Sequence, residues 1–161
     1  MKKPKITIVG LGLVGSSLGL ALRAQGGDYE VVGHDREPTV ASQARKMGAV
    51  DATEWNLIAA CEGADLICLA LPLAGIRSTL EAIAQDLKPG AIVTDTATLK
   101  QPVLAWAEEF LPEHVSFVGG NPILAPAEAA RARRGVEGAS ATLFKGAQYC
   151  LTPSPTADPD A

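Results

Sequence analysis

Three glycines near the start of the chain limit its fold more than any other feature. Gly10, Gly12 and Gly15 spell GxGxxG inside ITIVGLGLVGSSLGLALRAQGG, residues 6 to 27, directly after strand letters and directly before a helix pattern that stops at Gly26 and Gly27. The spacing asks for a tight turn between a buried strand and a buried helix, with the helix's free amides facing whatever lies above the turn. Two lysines ahead of an apolar stretch also suit a secretory leader, but that reading leaves the later strands unexplained. A tight turn with no ligand is the bland alternative.

Extended runs recur at Lys5 to Gly10, Glu30 to His34, Ala64 to Leu71, Ala91 to Asp95, Val115 to Gly119 and Ala147 to Leu151. Most are continuous apolar stretches, as in strands buried on both faces of a parallel sheet. Helix patterns alternate with them. Ile76, Leu80, Ile83 and Leu87 form one apolar stripe ahead of the stop at Lys88-Pro89-Gly90. Pro38 suits a first helical turn, Val40, Ala41, Ala44 and Met47 share a face, and Gly48 supplies a left-handed cap. Strand, helix, strand in repetition predicts an α/β fold of Rossmann type, a doubly wound, mostly parallel sheet with helices on both faces. Residues 1–151 read as this one domain. The final TPSPTADPDA holds three prolines and no aliphatic side chain larger than alanine, so residues 152–161 read as a linker toward further chain.

Composition matters here for what it removes. A net charge of −4, with only the short cluster Arg131, Arg133 and Arg134, leaves no footprint for nucleic acid. Cys61, Cys68 and Cys150 are odd in number and contain no CxxC pair, which points to a reducing compartment, and Cys68 reads as a small hydrophobe in an apolar run. His34 and His114 have no ligand spacing, so no metal site is expected. Glycine, serine or arginine interrupts every apolar segment before it reaches membrane-spanning length, and the expectation is a soluble, cytoplasmic protein with no membrane partner.

Asp35 follows the second strand, twenty residues beyond Gly15. A carboxylate there accepts hydrogen bonds from the ribose hydroxyls of an adenine dinucleotide. In this reading Gly10 makes the turn, Gly12 admits the pyrophosphate and Gly15 lets helix pack on strand. The amides from Leu13 and Val14 onward turn the positive end of the helix to the phosphates. Asp35 favours NAD by repelling a 2′-phosphate, whereas Arg36 attracts one, so NAD and NADP both stay open. His34 reads either as a neighbour of adenine or as a solvated strand-end residue.

A second group of candidates lies at the ends of the later strands, where the nicotinamide end of the cofactor falls. LALPLAG brings Leu71 and Pro72 there, TDTATLK brings Asp95, Thr96, Thr98 and Lys100, and FVGGNPILAP brings Asn121. Leu71, Pro72 and Asp95 are candidates for cofactor contact. Each group also has a structural alternative: Pro72 as a helix start, Asp95 and Thr98 as caps of the next helix, Asn121 as a turn former before Pro122.

Taken together, these stretches resemble the nucleotide-binding domain of the prephenate and arogenate dehydrogenase family of tyrosine biosynthesis. The resemblance rests on IVGLGLVGSSLGLAL, on TDTATLK where the family has Asp, Ser and Lys, and on GVEGASATLFKGAQYCLTP. It implies NAD(P)-dependent oxidative decarboxylation of prephenate or arogenate, with hydride passing to the cofactor and carbon dioxide leaving as the ring becomes aromatic. It also implies a homodimer, formed through a helical second domain that supplies an arginine to the substrate and is missing here. By the resemblance, Thr98 stands at the family's serine, and Asn121 at the histidine that hydrogen-bonds the substrate's ring hydroxyl. An amide has no useful basicity near neutral pH, so Asn121 departs from the pattern where the chemistry is done. Two other readings therefore stand beside it: a dehydrogenase of another small hydroxy or amino acid, and a nucleotide-binding module without chemistry. The stretch ILAPAEAARARRG is also longer than the family's turn, and its arginines read as a solvated helix face or as contacts for an anionic substrate.

Overall fold

The computed structural model describes residues 3–161; Met1 and Lys2 of the expected domain lie outside the described residues. Around the glycine turn the chain builds β1 (Lys5–Val9), α1 (Leu13–Gln25), β2 (Glu30–His34), α2 (Pro38–Lys46), β3 (Ala52–Thr53), α3 (Leu57–Cys61) and β4 (Leu66–Leu69). The second half adds α4 (Leu73–Ile83), β5 (Ile92–Asp95), α5 (Lys100–Phe110), β6 (Ser116–Ile123), α6 (Pro126–Arg131) and β7 (Gln148–Pro153). The strands form one seven-stranded sheet in the order β3-β2-β1-β4-β5-β6-β7. All neighbours pair in parallel except β7, which runs antiparallel to β6. The winding reverses between β1 and β4, and in open α/β sheets that switch point, at the carboxyl ends of the strands, is where ligands bind.

The continuous apolar runs are explained by a core on each face. On one face Val9, Ile67, Leu69, Val93 and Phe117 pack against Ile76, Leu80 and Ile83 of α4 and Val103 and Ala107 of α5. On the other, Ile8, Val31 and Val50 pack with Leu18 and Leu22 of α1 and with Val40, Ala41 and Ala44 of α2. The helix stops are those expected near the start: Gly26 caps α1 in the left-handed region, and Gly48 follows α2 with φ +80°.

Among the boundaries that differ from the expectation, three bear on the site. β6 does not end at Gly119 but runs to Ile123, because β7 pairs with it as Asn121↔Cys150 and Pro122↔Tyr149. Asn121 is therefore a strand residue and not a turn former. Pairing with β5 stops at Val118, so β7 alone partners the stretch containing Pro122, an arrangement that tolerates proline. β7 itself reaches Pro153, which takes Thr152 and Pro153 of the expected linker into the sheet, and the buried Ser154 donates its amide to the Phe117 carbonyl at 2.9 Å. Finally, α5 starts at Lys100 behind Leu99, so neither Asp95 nor Thr98 caps it. The short β3, α3 and α6 were not foreseen; none is long enough to show a period.

Candidate nucleotide-binding and active site

β1 delivers the chain to Gly10 at φ +91°, a conformation that disfavours any side chain. Space forbids one as well, since a Cβ there would lie 2.4 Å from the Ala70 carbonyl oxygen. The Gly10 amide donates to the His34 carbonyl and the Ala70 amide to the Val9 carbonyl, both at 2.8 Å, so the turn is wedged between the ends of β2 and β4. A Cβ on Gly15 would stand 1.8 Å from the Gly10 carbonyl oxygen, which means that α1 begins in backbone contact with the turn.

Gly12 differs from both. Its φ is an ordinary −72° and nothing lies within 4 Å of where its Cβ would be. Neither strain nor internal packing asks for glycine here. Open space over the main chain does, when a ligand must approach it closely. No side chain caps α1. The amides of Leu13, Val14 and Gly15 consequently have no partner within the helix, and they turn its partial positive charge toward that space.

Asp35 bounds the space on the β2 side. Its Oδ2 accepts the Leu11 amide at 2.8 Å and its Oδ1 the Glu37 amide at 2.9 Å, which ties the carboxylate to the glycine turn and to the start of α2. Each oxygen keeps a further lone pair for a hydroxyl. Arg36 is exposed and pairs loosely with Glu37 at 3.9 Å. His34 Nδ1 lies 3.0 Å from the Glu54 carbonyl oxygen, so the ring is engaged by the segment after β3.

Beyond β4 the rim is made of side chains. Leu71 reaches to 2.9 Å from the Cβ position of Gly10, and Pro72 is the N-cap of α4. Asp95 is wholly buried, and the side chain of Lys100 is only 15% exposed. Lys100 Nζ donates to both Asp95 oxygens at 2.5 Å and to the Gly120 carbonyl at 2.6 Å. Asp95 also accepts the Ala97 amide at 2.9 Å and the Gly120 amide at 3.2 Å. The ion pair thus lies beneath the rim and fixes β6 at the residue before Asn121. Thr98 is exposed and Asn121 half-buried, both at this carboxyl edge, while Arg131, Arg133 and Arg134 are exposed around the end of α6.

Tyr149 escaped the sequence reading. Its hydroxyl stands 2.7 Å from where a Cβ on Gly120 would be. Burial first, then the charges of Cys68 and Asp95, push the phenol up to about 12. Burial and then the Asp95 charge push the Cys68 thiol up to about 12 as well, in keeping with its reading as a small hydrophobe. No local pattern could have shown Tyr149, because an antiparallel partner brings it in.

The geometry defines a class of protein: a Rossmann-type nucleotide-binding domain, in which main chain more than side chain faces the phosphates. Comparison with known proteins narrows the class. Residues 18–161 match the family described as prephenate dehydrogenase, nucleotide-binding domain, and the chain belongs to that family. It is 37% identical over 150 residues to the prephenate dehydrogenase of Lactococcus lactis subsp. cremoris, covering 92% of this chain and 40% of that protein. It is similar to the crystal structure of Synechocystis arogenate dehydrogenase, with TM-score 0.84 and 35% identity over 97% of this chain and 52% of that one. It is similar also to Aquifex aeolicus prephenate dehydrogenase in complex with hydroxyphenyl propionate and NAD+, with TM-score 0.85 and 27% identity over 99% of this chain and 54% of that one. The chain spans about half the length of these relatives. Family and fold are those expected from the residues.

Proposed function

We propose that the chain is the cofactor-binding part of an NAD(P)-dependent dehydrogenase that oxidatively decarboxylates prephenate or arogenate. The observation that carries the reading is the open space at Gly12, over the uncapped start of α1 and beside the fixed Asp35 carboxylate. NAD fits these residues: Gly12 and the amides of Leu13, Val14 and Gly15 hold the pyrophosphate, and Asp35 holds the ribose. NAD is preferred to NADP, since Asp35 repels a 2′-phosphate and the neighbouring Arg36 already has Glu37 as a partner.

When bound, the nicotinamide supplies the hydride acceptor. The chain's own residues do the rest. Leu71 and Pro72 line the way past β4, and Asp95, acting through Lys100, holds Gly120 so that Asn121 stays at the rim. The Thr98 hydroxyl and the Asn121 carboxamide hydrogen-bond the substrate. Asn121 takes no proton near neutral pH, so water takes it, and the step forgoes the roughly hundredfold to ten-thousandfold that a positioned base supplies.

The net charge of −4 supports a small-molecule substrate over nucleic acid, and no helix among the described residues is long and apolar enough to cross a membrane. The full-length protein works in the cytoplasm as a homodimer. Calorimetric titration of this domain with NAD is expected to give a saturable heat. Full-length protein given prephenate or arogenate with NAD is expected to produce reduced cofactor, read by its absorbance. A domain that binds neither NAD nor NADP overturns the reading.

A further inference from the structure

Trp55 leaves 85% of its surface in water. Its backbone is nevertheless held on both sides. β3 pairs with β2 as Val32↔Ala52 and Gly33↔Thr53, and the Glu54 amide continues the ladder to the Gly33 carbonyl at 3.0 Å. The Glu54 carbonyl meets His34 Nδ1, its Oε1 accepts the Asn56 amide at 3.0 Å, and Asn56 Oδ1 caps α3 through the Ala59 amide at 2.9 Å. Continued past the end of the ladder, the register that sets Glu54 beside His34 brings Trp55 to the level of Asp35. Next along the chain, α3 packs against both β2 and α4 and exposes Ile58 in its first turn. The backbone of Trp55 therefore stands at the carboxyl edge of the sheet near the group assigned to the ribose.

An uncovered indole adds little to folding, whereas one carried on a fixed backbone near a sugar site is a ready surface for a planar base. We infer that Trp55 stacks against the adenine ring of the dinucleotide and sets the affinity for that end of the cofactor. The inference rests on the NAD-binding reading above. His34, engaged by Glu54, leaves this role to Trp55.

The chain has two tryptophans, Trp55 and the half-buried Trp106 of α5, so intrinsic fluorescence separates them with one substitution. NAD and AMP are expected to quench emission in the wild type and in Trp106→Phe, and nicotinamide mononucleotide to leave it unchanged. By calorimetry, Trp55→Ala is expected to weaken NAD and AMP about tenfold, the scale of one base–aromatic stack, and Trp55→Phe to regain part of the loss. The melting temperature should stay put in both. Wild-type NAD affinity in Trp55→Ala, or a quench that survives in it, overturns the stacking while leaving NAD binding intact. Absence of any heat with NAD in the wild type overturns the cofactor reading, and this inference with it.

Discussion

Between β1 and β2 the rim of the sheet faces the ligand space with main chain; between β5 and β7 it does so with side chains. The first region is local in sequence. Gly10, Gly12, Gly15 and Asp35 follow one another through a single strand, helix and strand, and two of the glycines are fixed by backbone contacts that admit no Cβ. The second is assembled from distant segments, with Asp95 and Lys100 bonded to Gly120, and Tyr149 laid against Gly120 from the antiparallel strand. The difference teaches where this domain can change. A backbone turn has almost no tolerance at Gly10 and Gly15, because the constraint there is steric. A side-chain cluster on a buried scaffold can exchange its outermost groups, here Thr98 and Asn121, while the scaffold stays as it is.

The sharpest way to break this contrast is to compare two glycines of the same motif, Gly15 and Gly12, three residues apart. Gly15→Val is expected to abolish cooperative unfolding, since its Cβ would sit 1.8 Å from a backbone oxygen, as read by circular dichroism. Gly12→Val is expected to keep the melting transition and lose the heat of NAD binding, because its side chain enters open space. If both variants unfold, the distinction between a packing glycine and a ligand glycine is wrong. On the other side of the sheet, Asp95→Ala leaves the Lys100 ammonium buried without its partner, and is expected to cost about 3–5 kcal/mol in urea denaturation. The double variant Asp95→Ala with Lys100→Met should recover much of that loss.

Smaller effects sharpen the comparison. If the full-length protein has the proposed activity, Asn121→His is expected to raise its kcat about a hundredfold, the lower end of general-base assistance, without changing NAD affinity in this domain. No rise would mean that the rim does not use a base at this position. The buried thiols give a pH test of the core beneath both regions. Burial raises Cys61 and Cys68 from 9.0 to about 12, so the neutral thiols favour the folded state. Their contribution is fully present below pH 9 and is lost as the pH rises toward 12, where the folded protein ionises too. Urea midpoints should therefore fall on the alkaline side, and fall less in Cys68→Ala. Iodoacetamide at pH 8 should label Cys150, which is exposed, and spare the other two.

The sequence was most legible where function is local. GxGxxG between a strand and a helix, followed by Asp35, placed the glycine turn, and the apolar stripes of α2 and α4 placed two flanking helices, although α4 ends at Ile83 and passes into a 3-10 turn at Ala84–Asp86 short of the expected stop after Leu87. It was least legible at Asn121, expected in a turn before Pro122 and found inside β6. Proline normally argues against a strand, and only the partner β7 overrides it. Asp95 read as a cap or a cofactor ligand because its neighbours TDTATLK are cap formers; the buried pairing with Lys100 is invisible without β6 laid beside it.

By itself, the amino-acid order determined the class of fold, the glycine turn and the carboxylate at the end of β2, because turn sterics and apolar periodicity act over a few residues. The tertiary structure alone decided which polar groups are buried, that β7 returns antiparallel to hold Asn121 in a strand, and that Gly120 is bonded to Asp95 and Lys100 with Tyr149 against it. Those outcomes depend on which strands become neighbours, and contacts between residues far apart leave no periodic trace in the chain.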